Sequence, residues 1–117
     1  MKIDGALGKI TISNDVFTTI CGYAATNCFG VKGMALRSMS DGLVHLLRKE
    51  SLAKGVKLQI TENGRLSLQL HIIVEHGVNI PVICRSIISE VKYTVERLAG
   101  VSVSDVSIYV DGIMHSK

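Results

Sequence analysis

Three cysteines and four histidines are the side chains best suited to covalent or metal chemistry in this 117-residue chain. Cys84 stands just after Pro81 at the start of an apolar stripe, where a helix dipole can lower a thiol pKa, and His76 lies a short way upstream as a conceivable base. Cys84 nevertheless shares its stripe with Ile80, Ile87 and Ile88, and free cysteine is among the most buried residue types, so an inert core thiol is expected. Cys21 and Cys28 are a helical seven apart and could be imagined with His71 or His76 as metal ligands, but the spacing matches no recognised zinc pattern. No metal and no cofactor are expected. The chain has no GxSxG, Walker-type loop or dinucleotide fingerprint, and Asp4, Asp15, Asp41 and the glutamates read as caps and surface charge rather than catalytic pairs. No catalytic residues and no small-molecule substrate are expected.

Phosphate chemistry has one foothold. Gly30-Val31-Lys32-Gly33 matches the GxxG of KH domains, in which a loop between two helices lets backbone amides approach an RNA backbone. Lys32, Lys54 and Lys57 belong to a basic middle segment that an anion would meet first. Against this, two glycines three apart are common, Gly30 already serves as a helix stop, and aromatics are few for a nucleic-acid surface. An RNA-binding KH-like module is therefore the runner-up, and nucleic acid the less favoured partner.

The elements that position these residues follow from periodicity. Ile10 and Ile12 alternate with polar neighbours and predict a strand over 8–12 with one buried side. Ser13, Asn14 and Asp15 can cap a helix carrying Val16, Ile20, Ala24 and Cys28 inward, up to Gly30. Residues 31–36 lean toward a strand. Ser40 and Asp41 can cap a second helix, with Leu43, Val44, Leu46 and Leu47 inward and Arg48, Lys49 and Glu50 outward, closing near Lys54-Gly55. Val56, Leu58, Ile60 and Leu66, Leu68, Leu70, Ile72, Val74 alternate on either side of Asn63-Gly64, the signature of a hairpin with one apolar face and one polar face formed by Lys57, Gln59, Ser67, Gln69 and His71. Asn79 and Pro81 open the longest helix, with the stripe Ile80, Cys84, Ile87, Ile88, Val91, Val95, Leu98, and Gly100 ends it. Val106, Ile108 and Val110 mark a last strand. The sum is one α+β domain over 1–117, a two-layer sandwich with a mainly antiparallel sheet and helices on one face.

One stretch exceeds background: residues 16–31 carry no charged side chain. Thr18, Thr19, Gly22, Ala25 and Thr26 lie away from the stripe of that helix and are small enough for another surface to approach, making them a candidate partner surface, with packing inside the domain as the competing explanation.

Across nearly its whole length the chain resembles the alkaline shock (envelope stress response) protein family of Gram-positive bacteria. The likeness rests on Gly8-x-Ile10-x-Ile12-Ser13, Ala24-Ala25, Gly30-Val31-x-Gly33-Met34, Gly55-Val56-Lys57, Gly77, Val91-Lys92, Gly100-Val101 and Val106-x-Ile108-x-Val110-x-Gly112-Ile113. It implies an α+β domain without catalysis, linked to envelope stress and homeostasis, prone to self-assemble and sometimes held near the membrane by a separate anchor protein. Two positions depart from the pattern: Ile88 replaces a frequent glutamine, and Thr26-Asn27-Cys28-Phe29 lacks the usual acid. No signal-peptide or membrane-spanning run occurs and the cysteine count is odd, so a cytoplasmic protein, near the inner face of the membrane, is expected to bind a protein partner or its own copies.

Overall fold

The computed structural model describes residues 1–37, 44–47 and 49–115. Its elements are β1 (Lys2–Gly5), β2 (Gly8–Thr11), α1 (Asn14–Thr26), β3 (Val31–Arg37), β4 (Val44–Leu46), a 3-10 helix (Lys49–Gly55), β5 (Val56–Ile60), β6 (Leu66–Glu75), α2 (Ile80–Ala99) and β7 (Val103–Met114).

β6 organises the sheet. Its even-numbered residues Leu66, Leu68, Leu70, Ile72 and Val74 are all fully buried, each contributing about 1.5–3 kcal/mol of burial. β7 runs parallel to β6 from Leu66 to Glu75 along one edge. The opposite edge is shared end to end, with β5 antiparallel to residues 66–70 and β3 antiparallel to residues 72–74. β4 adds to β3. A parallel neighbour requires a crossover, and α2 supplies it between β6 and β7. The sheet is otherwise antiparallel, and both α-helices pack on its β6-even face through Phe17, Cys21, Ile83, Ile87, Val91 and Val95. This is the expected two-layer α+β arrangement.

Local chemistry sets the helix ends. The Ser13 hydroxyl accepts from the Val16 amide at 3.4 Å, and the Asn79 side chain accepts from the Val82 amide at 3.2 Å. Gly100 closes α2 at a φ of 69° and donates to the Glu96 carbonyl, as a left-handed stop should.

Four expectations need correction. α1 ends at Thr26, not Gly30, although Gly30 does take a left-handed φ of 85° in the following turn. Its buried face is Phe17, Cys21, Ala24 and Ala25, while Val16 is exposed and Ile20 half-buried. The predicted second helix is absent among its described residues: Val44–Leu46 is a strand that completes the edge of β3, and Lys49–Gly55 is a 3-10 helix. Its proposed cap at Ser40 and Asp41, with Leu43 and Arg48, lies outside the described residues. Finally, residues 8–12 are half of an additional hairpin, in which Lys2 pairs Thr11 and Ile3 pairs Ile10, and Ile10 is exposed rather than buried.

Candidate functional site

The thiols are not poised for nucleophilic work. Burial pushes Cys21 up to about 12. Burial, reinforced by the negative charge of Glu90, also raises Cys28, whose thiol donates to the Ala24 carbonyl. Burial raises Cys84 as well. His76, the conceivable base, stacks on His115 at 4.4 Å between ring centroids. Among the described residues no group of three ligating side chains converges.

The polar face of the sheet carries the most organised ionisable cluster. Register places His71 opposite Tyr109, and their rings stack at 4.8 Å and 12°. A register shift between Ile72 and Ile73 leaves Asp111 as the extra residue of β7, and its carboxylate accepts from His71 Nδ1 at 2.8 Å. Farther along the same strands, the Ser67 hydroxyl donates to Asp105 at 3.1 Å, and Ser104 donates to the same carboxylate group at 2.8 Å. A histidine–aspartate pair needs a nucleophile within bonding reach to do triad chemistry. Ser67 and Ser104 are instead committed to Asp105, and among the described residues no hydroxyl bonds to His71, so these bonds clasp β7 onto β6.

The geometry lends the phosphate reading no support. Gly30 and Gly33 do not form an open loop between helices: Ile83 stands where a Cβ on Gly30 would lie, and Gly33 sits within β3 with Leu46 Cδ1 2.7 Å from where its Cβ would be. Lys32 lines a shallow groove with Asn27 and Leu52 at the end of α1, and Lys54 belongs to the 3-10 helix packed on α1. Lys57 pairs with Gln69 on the reverse face of the sheet. The three lysines are thus divided between two faces, and no common anion site is assembled.

The candidate partner surface on α1 is divided too. Thr18 is buried and its hydroxyl donates to the carbonyls of Asn14 and Asp15. A Cβ on Gly22 would lie 3.0 Å from Leu52 Cβ, and Ala25 has no exposed area. Thr26 is half-buried and bonds back to the Tyr23 carbonyl, leaving Thr19 as the exposed member. The 3-10 helix covers this side: the missing charge reflects packing within the fold.

Thr19 instead borders a different feature. α1 and α2 lie side by side, and their outer sides leave an open groove of about 350 Å³. Ile20, Tyr23 and Ala24 form one wall with Thr19, and Glu90, Thr94, Arg97 and Leu98 stand on the other. Tyr23 is 42% exposed and Leu98 56% exposed. The groove carries one acid and one base, Glu90 and Arg97, and the Glu90 carboxylate accepts from the Thr94 hydroxyl at 3.2 Å. Periodicity assigns Leu98 to the core and passes over Tyr23. On an ideal helix Leu98 falls at an angle between Ile87 and Val91, so nothing in the α2 sequence alone marks it as exposed.

Comparison with known proteins agrees with the likeness read from the sequence. The chain is 38% identical over 107 residues to the uncharacterised protein YloU of Bacillus subtilis, covering 91% of this chain and 88% of that one. It is 38% identical over 114 residues to the uncharacterised protein Spy1614 of Streptococcus pyogenes serotype M6, covering 97% and 93%, and 29% identical over 110 residues to the uncharacterised protein YqhY of B. subtilis, covering 94% and 80%. No solved structure matches. Residues 2–115 match the alkaline shock protein 23 family, which is described as having a cell envelope-related function, and with relatives aligned along almost the whole chain, this protein belongs to that family.

Proposed function

We propose that this chain is a non-enzymatic binding protein of the cell envelope, which works in envelope stress by joining proteins, its own copies included, through the α1/α2 groove. The observation that supports this most is the contrast between its surfaces. On the sheet face His71 and Asp111 bond each other and Asp105 accepts from Ser67, whereas Tyr23 and Leu98 leave apolar area in the open at a concavity. An exposed apolar recess with a polar rim is how a protein-binding surface presents itself. On this reading the chain reaches the membrane through another protein. No helix among the described residues is long and apolar enough to cross a bilayer.

The test is a pair of groove variants, Leu98→Lys and Tyr23→Ser, assayed for self-association by light scattering and for recovery of envelope proteins with the tagged chain. Both variants should lose association while keeping the wild-type circular dichroism spectrum. Undiminished binding by both would remove the groove from the account.

A further inference from the structure

The chain has four asparagines, Asn14, Asn27, Asn63 and Asn79, and of these Asn63 alone is followed by glycine. Asn63 and Gly64 stand at the tip of the β5–β6 hairpin, and every residue from Glu62 to Arg65 is exposed. Three bonds close the turn. The Thr61 amide donates to the Arg65 carbonyl at 2.7 Å, the Gly64 amide to the Thr61 carbonyl at 3.0 Å, and the Arg65 amide to the Thr61 hydroxyl at 3.1 Å. Gly64 takes a φ of 76°, with nothing within 4 Å of where a Cβ would lie, so no other part of the fold crowds it. The other asparagines differ. Asn79 is held as the cap of α2 by the Val82 amide and precedes the branched Ile80. Asn14 stands in α1 before Asp15, and Asn27 precedes Cys28.

We propose that Asn63 is a site of spontaneous modification, at which the Gly64 main-chain nitrogen attacks the Asn63 side-chain amide. The nitrogen bonds to Asn63 Cγ, the bond from Cγ to Nδ2 breaks, the Gly64 proton reaches the departing nitrogen through solvent, and ammonia leaves a cyclic succinimide. Water, the sole co-reactant, then adds at either imide carbonyl. Opening at one gives aspartate, and opening at the other gives isoaspartate, in which the main chain runs through the side-chain carboxyl carbon. Glycine favours the step because it sets no side chain beside the attacking nitrogen and leaves the backbone free to rotate into the ring. The bond from Gly64 to the Thr61 carbonyl restrains that nitrogen, so ring closure waits for the tip to open. Exposed tips with no apolar packing over them open at little cost.

The two products act differently on the fold. Both place a carboxylate beside Glu62. Aspartate keeps the backbone and is itself a favoured turn residue. Isoaspartate adds a methylene to the main chain inside the loop that sets the register of Ile60 with Leu66, and Leu66 is fully buried. Register in a hairpin is fixed by turn type and loop length, so the lengthened turn loosens the hairpin from its tip.

The test incubates the full chain under native conditions and in urea, reading each asparagine by peptide mass mapping and by labelling with an isoaspartyl methyltransferase. In the native chain Asn63 should convert to aspartate and isoaspartate ahead of Asn14, Asn27 and Asn79, and Asn63→Gln should abolish the signal at that position. Conversion should be faster in urea by the same factor that protects the Gly64 amide from hydrogen exchange in the native chain. The isolated isoaspartate form should unfold at a lower urea concentration than the unmodified chain, whereas Asn63→Asp should match the unmodified chain. A native chain that keeps Asn63 intact while the urea-unfolded chain is modified overturns the proposal, as does conversion at Asn63 no faster than at the other three. An isoaspartate form as stable as Asn63→Asp overturns the link to the hairpin.

Discussion

Replacing Gly30 by alanine separates a structural glycine from a ligand-binding one. Two costs follow from the geometry. An L-residue at a φ of 85° sits in the left-handed region at about 1–2 kcal/mol. The new Cβ also meets Ile83 Cδ1 and approaches Val78, and overpacking of this kind costs about 1–3 kcal/mol. Together these give ~2–5 kcal/mol, a large part of the ~5–15 kcal/mol that holds a small domain folded. With an unfolding entropy of about 2.1 cal/mol/K per residue, the melting temperature should fall by roughly 8–20 °C, read by circular dichroism. Gly64→Ala is the control. Its φ is 76° with nothing within 4 Å of a Cβ, so only the backbone cost applies and the fall should be about 4–8 °C. Ile83→Val removes the obstructing Cδ1, and the double mutant with Gly30→Ala should be more stable than the sum of the singles by about 1–2 kcal/mol. A Gly30→Ala protein that melts with Gly64→Ala and shows no coupling to Ile83 would refute the packing argument.

The remaining predictions concern the core and the clasps. The Cys21 thiol is raised from 9.0 to about 12 in the fold, so the native state keeps a proton that the unfolded chain loses. Stability from this group is complete below pH 9 and declines between pH 9 and 12 by up to about 1.4 kcal/mol per unit; urea titrations should show a shallower decline in Cys21→Ala. For the same reason Cys21 should resist alkylation at about pH 8 until the chain is unfolded. Asn79→Ala deletes the cap on α2 and should cost about 1 kcal/mol in urea unfolding. Asp111→Ala breaks the 2.8 Å bond to His71 and should cost about 0.5–1.5 kcal/mol, without changing self-association, because it lies on the sheet face away from the groove.

The β5–β6 hairpin and α2 are legible in the sequence because each carries a complete local signal: alternation around Asn63-Gly64 in one, Asn79, Pro81 and Gly100 framing a stripe in the other. α1 is legible as a helix but not in its rotation. Spacing of 4, 4, 4 through Val16, Ile20, Ala24 and Cys28 drifts about 40° per step, whereas 4, 3, 4 through Phe17, Cys21, Ala24 and Cys28 holds one face. The largest side chain, Phe17, sets that face. Val44–Leu46 misleads because a short apolar run has no period of its own, and pairing with the open edge of β3 decides its state. The β1–β2 hairpin is half visible: alternation marks the strand at residues 8–12, but its partner Lys2–Gly5 holds too few apolar positions for a pattern, and its pairing depends on the turn Gly5–Gly8. The groove cannot be read from either helix alone, since Tyr23 and Leu98 are brought together by the sheet beneath them. The expected α1 patch fails for the complementary reason, because periodicity reads the 3-10 helix that buries Gly22 and Ala25 as part of an α-helix with a different face.

Exposed tyrosines on opposite faces allow the central claim to be tested within one molecule. Tyr23 is 42% exposed in the α1/α2 groove and Tyr109 is 44% exposed on the sheet face. Hydroxyl-radical labelling of the wild-type chain over a wide range of concentration compares them directly. If the groove is the contact surface, labelling of Tyr23 and Leu98 falls as concentration rises while Tyr109 is unchanged. Protection of Tyr109 with Tyr23 left accessible, or constant labelling at both, contradicts it.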